Sequence, residues 1–132
     1  MSSVENLEIA PRTFPVTRAD LIAYAEASGD HNPIHQDEEV ALSVGLPGVI
    51  AHGMFTLALV ARYLREQGVP AEEVLEIGAK FVKPVVVPAH GAEVSMSAVT
   101  QASDSGAEIT VEVLCDGVRI FGPRGARVRL RG

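Results

Sequence analysis

The sequence predicts an α+β domain, and three observations predict it. Apolar residues recur at helical spacing through the first half of the 132-residue chain, they alternate at strand spacing through the second, and no linker, repeat or low-complexity tract separates the halves. A long apolar helix followed by strands with one apolar face is satisfied when a curved antiparallel sheet wraps a central helix. A chain of this length buries roughly two thirds of its unfolded surface in one core. A single domain over 1–132, with its core at about 14–130, is therefore expected.

The elements follow in order. A short strand is expected at 13–16. Thr17 with Asp20 three residues later forms a capping box; Leu21, Ile22 and Ala25 then share a helical face until Gly29 supplies a left-handed stop. Asp37 caps a second, short helix through Val44, which Gly45 ends, and Leu46-Pro47-Gly48 makes a loop. From Gly53 to Gln67 the residues Met54, Phe55, Leu57, Ala58, Leu59, Val60, Ala61 and Leu64 are apolar on nearly every side. This predicts a largely buried helix, closed by Gly68 and Pro70. Leu75, Ile77, Ala79 and Phe81 alternate next, then Ala92, Val94, Met96 and Ala98, then Ile109, Val111 and Val113 after a turn at Ser103-Asp104-Ser105-Gly106. Asp116-Gly117 is a two-residue hairpin signal leading into a last strand, Val118 to Leu130.

Composition narrows the function. Hydrophobic residues make up 47% of the chain, aromatics 5%, and tryptophan is absent, so the core is built from Val, Leu, Ile and Ala. A net charge of −6 disfavours nucleic acid as a partner. Arg124, Arg127, Arg129 and Arg131 alternate with Ala126, Val128 and Leu130, which reads as the exposed face of the last strand. The one cysteine, Cys115, excludes an intrachain disulfide and continues the alternation from Ile109 as a core residue. The opening residues hold no signal-peptide pattern and no stretch approaches the roughly twenty apolar residues of a membrane span, so a cytoplasmic protein without membrane association is expected.

The stretch that carries chemistry is Ser28-Gly29-Asp30-His31-Asn32-Pro33-Ile34-His35. Glycine, asparagine and proline form tight turns, and a bland reading makes Asp30 and Asn32 turn formers and His35 a surface residue. A turn by itself requires neither a carboxylate before the proline nor an imidazole two residues after it. A carboxylate and an imidazole five residues apart can hold a water between an acceptor and a tunable base, which is equipment for adding water to carbon or removing it. His31, His35 and Asp37 also compose a conceivable metal set, but no paired helical histidines or cysteines accompany them, and no metal is expected. No glycine-rich phosphate loop precedes a helix, and no cofactor is implied. His31, and His90 in Pro88-Ala89-His90-Gly91, are expected on the surface. His52 precedes the apolar helix, where it shapes the loop or contacts a ligand.

Tyr24, Ser28-Gly29-Asp30, Asn32-Pro33-Ile34-His35 and Asp37, followed by Ala51-His52-Gly53-Met54 at the start of an apolar helix, resemble the MaoC-like (R)-specific enoyl-thioester hydratases and dehydratases from about Phe14 to Leu130. The resemblance implies the hot-dog fold and a dimer with the acyl pocket near its junction. It also implies that Asp30 and His35 bind and activate water and that Gly53 donates a backbone N–H to the thioester oxygen, with Asn32 and His52 among the substrate-binding residues. Some members carry a serine in the central helix where this chain has Ala61. The activity implied is reversible hydration of trans-2-enoyl thioesters to (3R)-3-hydroxyacyl thioesters on coenzyme A or acyl carrier protein, without a cofactor. A helix N-terminus suits the charge that builds on the thioester oxygen, and Met54 to Leu64 with Ile77, Ala79 and Phe81 are expected to line or back the acyl pocket. Two alternatives stay open: a hot-dog thioesterase, and the catalytic subunit of a heterodimeric (3R)-hydroxyacyl-carrier-protein dehydratase with a second hot-dog chain as partner. An acidic carrier protein would need a local basic patch, from the last strand or from Arg62 and Arg65.

Overall fold

The computed structural model describes residues 8–103 and 106–131. Six strands form one antiparallel sheet: β1 (Arg12–Val16), β2 (Val74–Phe81), β3 (Ala92–Ser103), β4 (Gly106–Cys115), β5 (Val118–Arg119) and β6 (Phe121–Arg131). Their order is β1-β3-β4-β6-β2, with β5 paired to β4, so β2 lies at an edge of the sheet. Helices α1 (Arg18–Ser28), α2 (Glu38–Ser43) and α3 (Gly53–Glu66) occupy the first half of the chain. The α+β class and the helix-then-sheet order read from the sequence are those observed.

Local chemistry explains the boundaries. The Thr17 side chain accepts from the Asp20 N–H while the Asp20 carboxylate accepts from the Thr17 N–H, the expected capping box, and Gly29 closes α1 at φ 79°. Asp37 caps α2 through the Val40 N–H, and Gly45 follows at φ 89°. Asp116 (φ 48°) and Gly117 (φ 84°) both lie in the left-handed region, as a two-residue hairpin turn requires. The turn expected at 103–106 lies in part outside the described residues, since Asp104 and Ser105 are not among them.

The core is the alternating face of β3, β4 and β6. Val94, Met96, Ile109, Val111, Val113, Val128 and Leu130 are buried, each stabilising the fold by about 1.5–3 kcal/mol relative to exposure. Cys115 is buried with them, as expected, and burial pushes its thiol up to about 11. Arg127, Arg129 and Arg131 do alternate outward. Tyr63 seats α3 by donating from its hydroxyl to the Ala10 carbonyl at 2.6 Å.

Three expectations are corrected. Ile22 is 48% exposed, because the buried stripe of α1 is Leu21 and Ala25 alone. Helix α3 is not buried all round: Thr56, Val60, Tyr63 and Leu64 are, while Met54, Ala58 and Ala61 are exposed, because one sheet covers one side of a helix. In β2 the register shifts twice, between Val74 and Glu76 and between Gly78 and Lys80, so the predicted alternation is broken and Leu75 and Phe81 are exposed. No helix among the described residues is long and apolar enough to cross a membrane.

Candidate active site

The turn after α1 is tied down by its own side chains. The Asp30 N–H donates to Ser28 Oγ at 3.2 Å, the Asn32 N–H to Asp30 Oδ1 at 3.2 Å, and the Ile34 N–H to Asn32 Oδ1 at 3.3 Å. Pro33 then opens a single 3-10 turn, Pro33–His35, that carries His35 inward. A second segment meets it from the other side. Val49 and Ala51 hydrogen-bond to Val87 and Val85, and the Ile50 N–H donates to the Ile34 carbonyl, so the chain leading into α3 is held against the turn.

This scaffold fixes one tautomer of His35. Its Nδ1 lies 2.7 Å from the Ile50 carbonyl oxygen. A carbonyl oxygen only accepts, so Nδ1 carries the hydrogen and the neutral ring keeps its lone pair on Nε2. His52 is held the same way, its Nε2 donating to the Asp30 carbonyl at 3.0 Å. The two rings stack with centroids 3.8 Å apart and planes 22° apart, and Tyr24 packs on His52 at 4.8 Å. His35 and His52 are buried, while Asp30 is exposed. His52 Nδ1 is buried without a hydrogen-bond partner, a cost of about 1–3 kcal/mol.

Donor atoms of Asp30, His35 and His52 lie within 4.8 Å of one another. Two hydrogen bonds of about 2.8 Å each span that distance through one water. An ion fits less well: ligands around tetrahedral zinc sit about 3.4 Å apart, and nearly parallel rings aim their in-plane lone pairs side by side instead of at one point. The other conceivable set, His31 with His35 and Asp37, is not gathered, because His31 is exposed and Asp37 caps α2.

Two cavities meet at Gly53 and Phe81. One, about 350 Å³, is lined by His35, Ile50, Thr56 and Val85; the other, about 320 Å³, by Tyr24, Ser28, Asp30, His52 and Met54; both include Gly53 and Phe81. Gly53 is the first residue of α3, and His52 at the cap gives no side-chain hydrogen bond, which leaves first-turn N–H groups for a ligand. A Cβ added at Gly53 would lie 3.3 Å from Cε2 and Cζ of Phe81, so a side chain here would push that ring back by a few tenths of an ångström.

Asp30, His35, His52 and Gly53 are thus brought together. Asn32 is not: its Oδ1 is spent on the turn and it lines neither cavity. His90 is exposed in the Pro88–Gly91 turn, as expected. Ala61 lines a separate cavity with Ala58, Arg62, Ile77 and Val128, and Ala79, half-buried, packs with Ile77 against the core. Sequence reasoning passed over Thr56, only 1% exposed beside His35. Its signal was present: it is the one hydroxyl in the apolar run from Met54 to Val60.

Residues 5–117 match the family model described as a MaoC like domain. The chain is 40% identical over 74 residues to 3-hydroxyacyl-thioester dehydratase X of Mycobacterium tuberculosis, an alignment covering 56% of this chain and 25% of that protein. A solved MaoC-like dehydratase superposes with a TM-score of 0.85 at 33% identity, over 92% of this chain and 38% of that one. The solved (R)-hydratase from A. caviae involved in PHA biosynthesis gives a TM-score of 0.75 at 26% identity, over 94% of this chain and 96% of that one. The chain therefore spans about a quarter of the curated dehydratase and nearly the whole of the smaller hydratase.

Proposed function

This chain belongs to the MaoC-like domain family, and from that membership we propose that it reversibly hydrates trans-2-enoyl thioesters to (3R)-3-hydroxyacyl thioesters. One observation carries the reading. The Ile50 carbonyl locks His35 with its lone pair on Nε2, and the imidazole has a ring nitrogen within 4.8 Å of an Asp30 carboxylate oxygen, beside a helix start with no side-chain cap.

In the hydration direction one water sits between the Asp30 carboxylate and His35 Nε2. His35 withdraws a proton as the water oxygen bonds to C3, and the C2–C3 π electrons move toward the thioester carbonyl. The Gly53 N–H and the positive end of α3 hold the resulting oxyanion, a contribution of about 3–4 kcal/mol for one preorganised donor. C2 then takes a proton from the Asp30/His35 pair, and the carbonyl reforms. The overall change is redox neutral and requires no cofactor. His52 positions Asp30 through the latter's backbone carbonyl and keeps the His35 ring flat by stacking.

Association completes the picture. Edge strand β2 exposes Leu75 and Phe81, Val82 just beyond it is also exposed, and Ala58 and Ala61 are exposed on α3. A second copy of the chain along this edge would cover Leu75, Ala58 and Ala61 and wall the cavities that Phe81 borders, leaving the Phe81 end of β2 open to substrate.

The test incubates the purified chain with crotonyl-CoA while the conjugated double-bond absorbance and free thiol are both followed. Loss of absorbance with no thiol released, and a (3R) product, is expected. Stoichiometric thiol would instead establish a thioesterase, and activity appearing only after addition of a second hot-dog chain would establish the heterodimer.

A further inference from the structure

We infer that a cavity on the outer face of the sheet, lined by none of the residues of the two reactive cavities, binds the phosphate groups of a coenzyme A-type thioester; this rests on the hydratase reading and names the carrier it uses. The cavity, about 460 Å³, is lined by Lys80 from β2 and by Arg124 and Arg127 from β6, with Glu76 at its margin. It is built by the sheet itself. Gly78 faces Arg127 and Lys80 faces Gly122, so the β6 residues between 122 and 127 bow out without β2 partners. Gly125 pins this bulge down: its φ is +122°, and a Cβ there would lie 2.2 Å from the Val111 carbonyl oxygen, a distance no side chain tolerates.

Charge selects the ligand. Glu76 is paired with Arg129 at 3.2 Å, and Arg127 faces Glu108 at 3.7 Å. Among the described residues Lys80 and Arg124 have no carboxylate partner. Unpaired cations gathered in a hollow of a chain whose net charge is −6 suit a small polyanion. The concave shape favours the phosphates of a small carrier over the acidic surface of a carrier protein, which needs an exposed basic face. The Arg62 alternative is weaker, because that guanidinium is engaged by Glu66 at 3.0 Å.

Connectivity joins the cavity to the chemistry. Lys80 immediately precedes Phe81, whose ring borders both reactive cavities and lies over Gly53, and β2 ends at Phe81. Strand neighbours point to opposite faces of a sheet. An extended pantetheine arm would leave the helix start, pass round the end of this edge strand and place its phosphates on Lys80 and Arg124.

The experiment compares crotonyl-CoA, crotonyl-pantetheine and a crotonyl carrier protein on the whole chain and on its K80Q/R124Q variant, with binding of free coenzyme A measured by calorimetry. The kcat/KM preference for CoA over pantetheine is expected to fall about tenfold in the variant and to shrink with added salt. An unchanged preference, an equal loss on both small substrates, or a carrier-protein substrate preferred over CoA in both proteins would overturn the assignment. Should the chain hydrate neither small thioester, the reaction reading fails by itself. In that case weaker coenzyme A binding in the variant supports the cavity, and unchanged or absent binding overturns it.

Discussion

The turn at 28–37 and the edge strand β2 both border the candidate site, yet they are built by opposite means. In the turn each bend is fixed by a side chain two or three residues away: Ser28 holds Asp30, Asp30 holds Asn32, Asn32 holds Ile34 and Asp37 holds Val40. In β2 two register shifts are fixed only by the distant strand β6, and the apolar residues Leu75 and Phe81 face outward. The groups proposed to do chemistry thus sit on a short, locally specified frame, whereas the surfaces proposed to hold acyl chain, carrier and partner depend on contacts far apart in sequence. Substitutions in the turn should therefore change catalysis with little effect on assembly, and substitutions of the exposed apolar residues of the edge should change assembly first.

The largest expected effects test the turn. Asp30→Asn and His35→Gln should each lower kcat by about a hundred to ten thousand fold with crotonyl-CoA, while circular dichroism shows a folded protein. Near-normal turnover in either variant would reduce the turn to a structural bend. Gly53→Val comes next, since it pushes a branched side chain against Phe81 and onto the carbonyl site. A loss of about two to three orders of magnitude is expected in kcat/KM, larger than for any single side chain around the cavity other than the Asp30/His35 pair.

A glutamate at Leu75 probes the edge. If a second copy pairs along β2, sedimentation should shift from dimer to monomer in Leu75→Glu, whereas Asp30→Asn remains a dimer. His52→Phe keeps the ring stack but removes the donor to the Asp30 carbonyl; about tenfold lower activity is expected with little change in urea unfolding, because loss of that hydrogen bond is offset by loss of the buried, unpartnered Nδ1. Cys115 gives the smallest effect. With its thiol pushed up to about 11, the protonated form is favoured in the folded state, so this contribution to stability is complete below the unfolded value near 9 and is lost as pH rises through about 11. At pH 8 iodoacetamide should label the native protein far more slowly than the denatured one, as mass spectrometry will show.

The same contrast explains what could be read in advance. The capping box at Thr17, the stops at Gly29 and Gly45, the hairpin at Asp116-Gly117 and the buried alternation of β4 are local signals, and each appears where expected. So does the meeting of Asp30 with His35, because five residues across a self-bonded turn leave little freedom. The open side of α3 was not legible, since an apolar sequence says nothing of how much of it one sheet can cover. Nor were the two register shifts of β2, which depend on its pairing with β6. The Asn32 side-chain oxygen accepts from the Ile34 N–H within the turn, a local role that its residue type also signals, and Thr56, one hydroxyl in an apolar run, looks like helix filler until the fold lines the cavity of His35 with it.

The joint grip of Asp30 and His35 on one water is tested most directly by a cycle of single and double variants in single-turnover hydration. Groups that act on the same molecule fail together, so Asp30→Asn with His35→Gln should be no slower than the worse single variant, within a few fold. A double variant slowed by the full product of the two single losses would show that the residues act independently and would contradict the account.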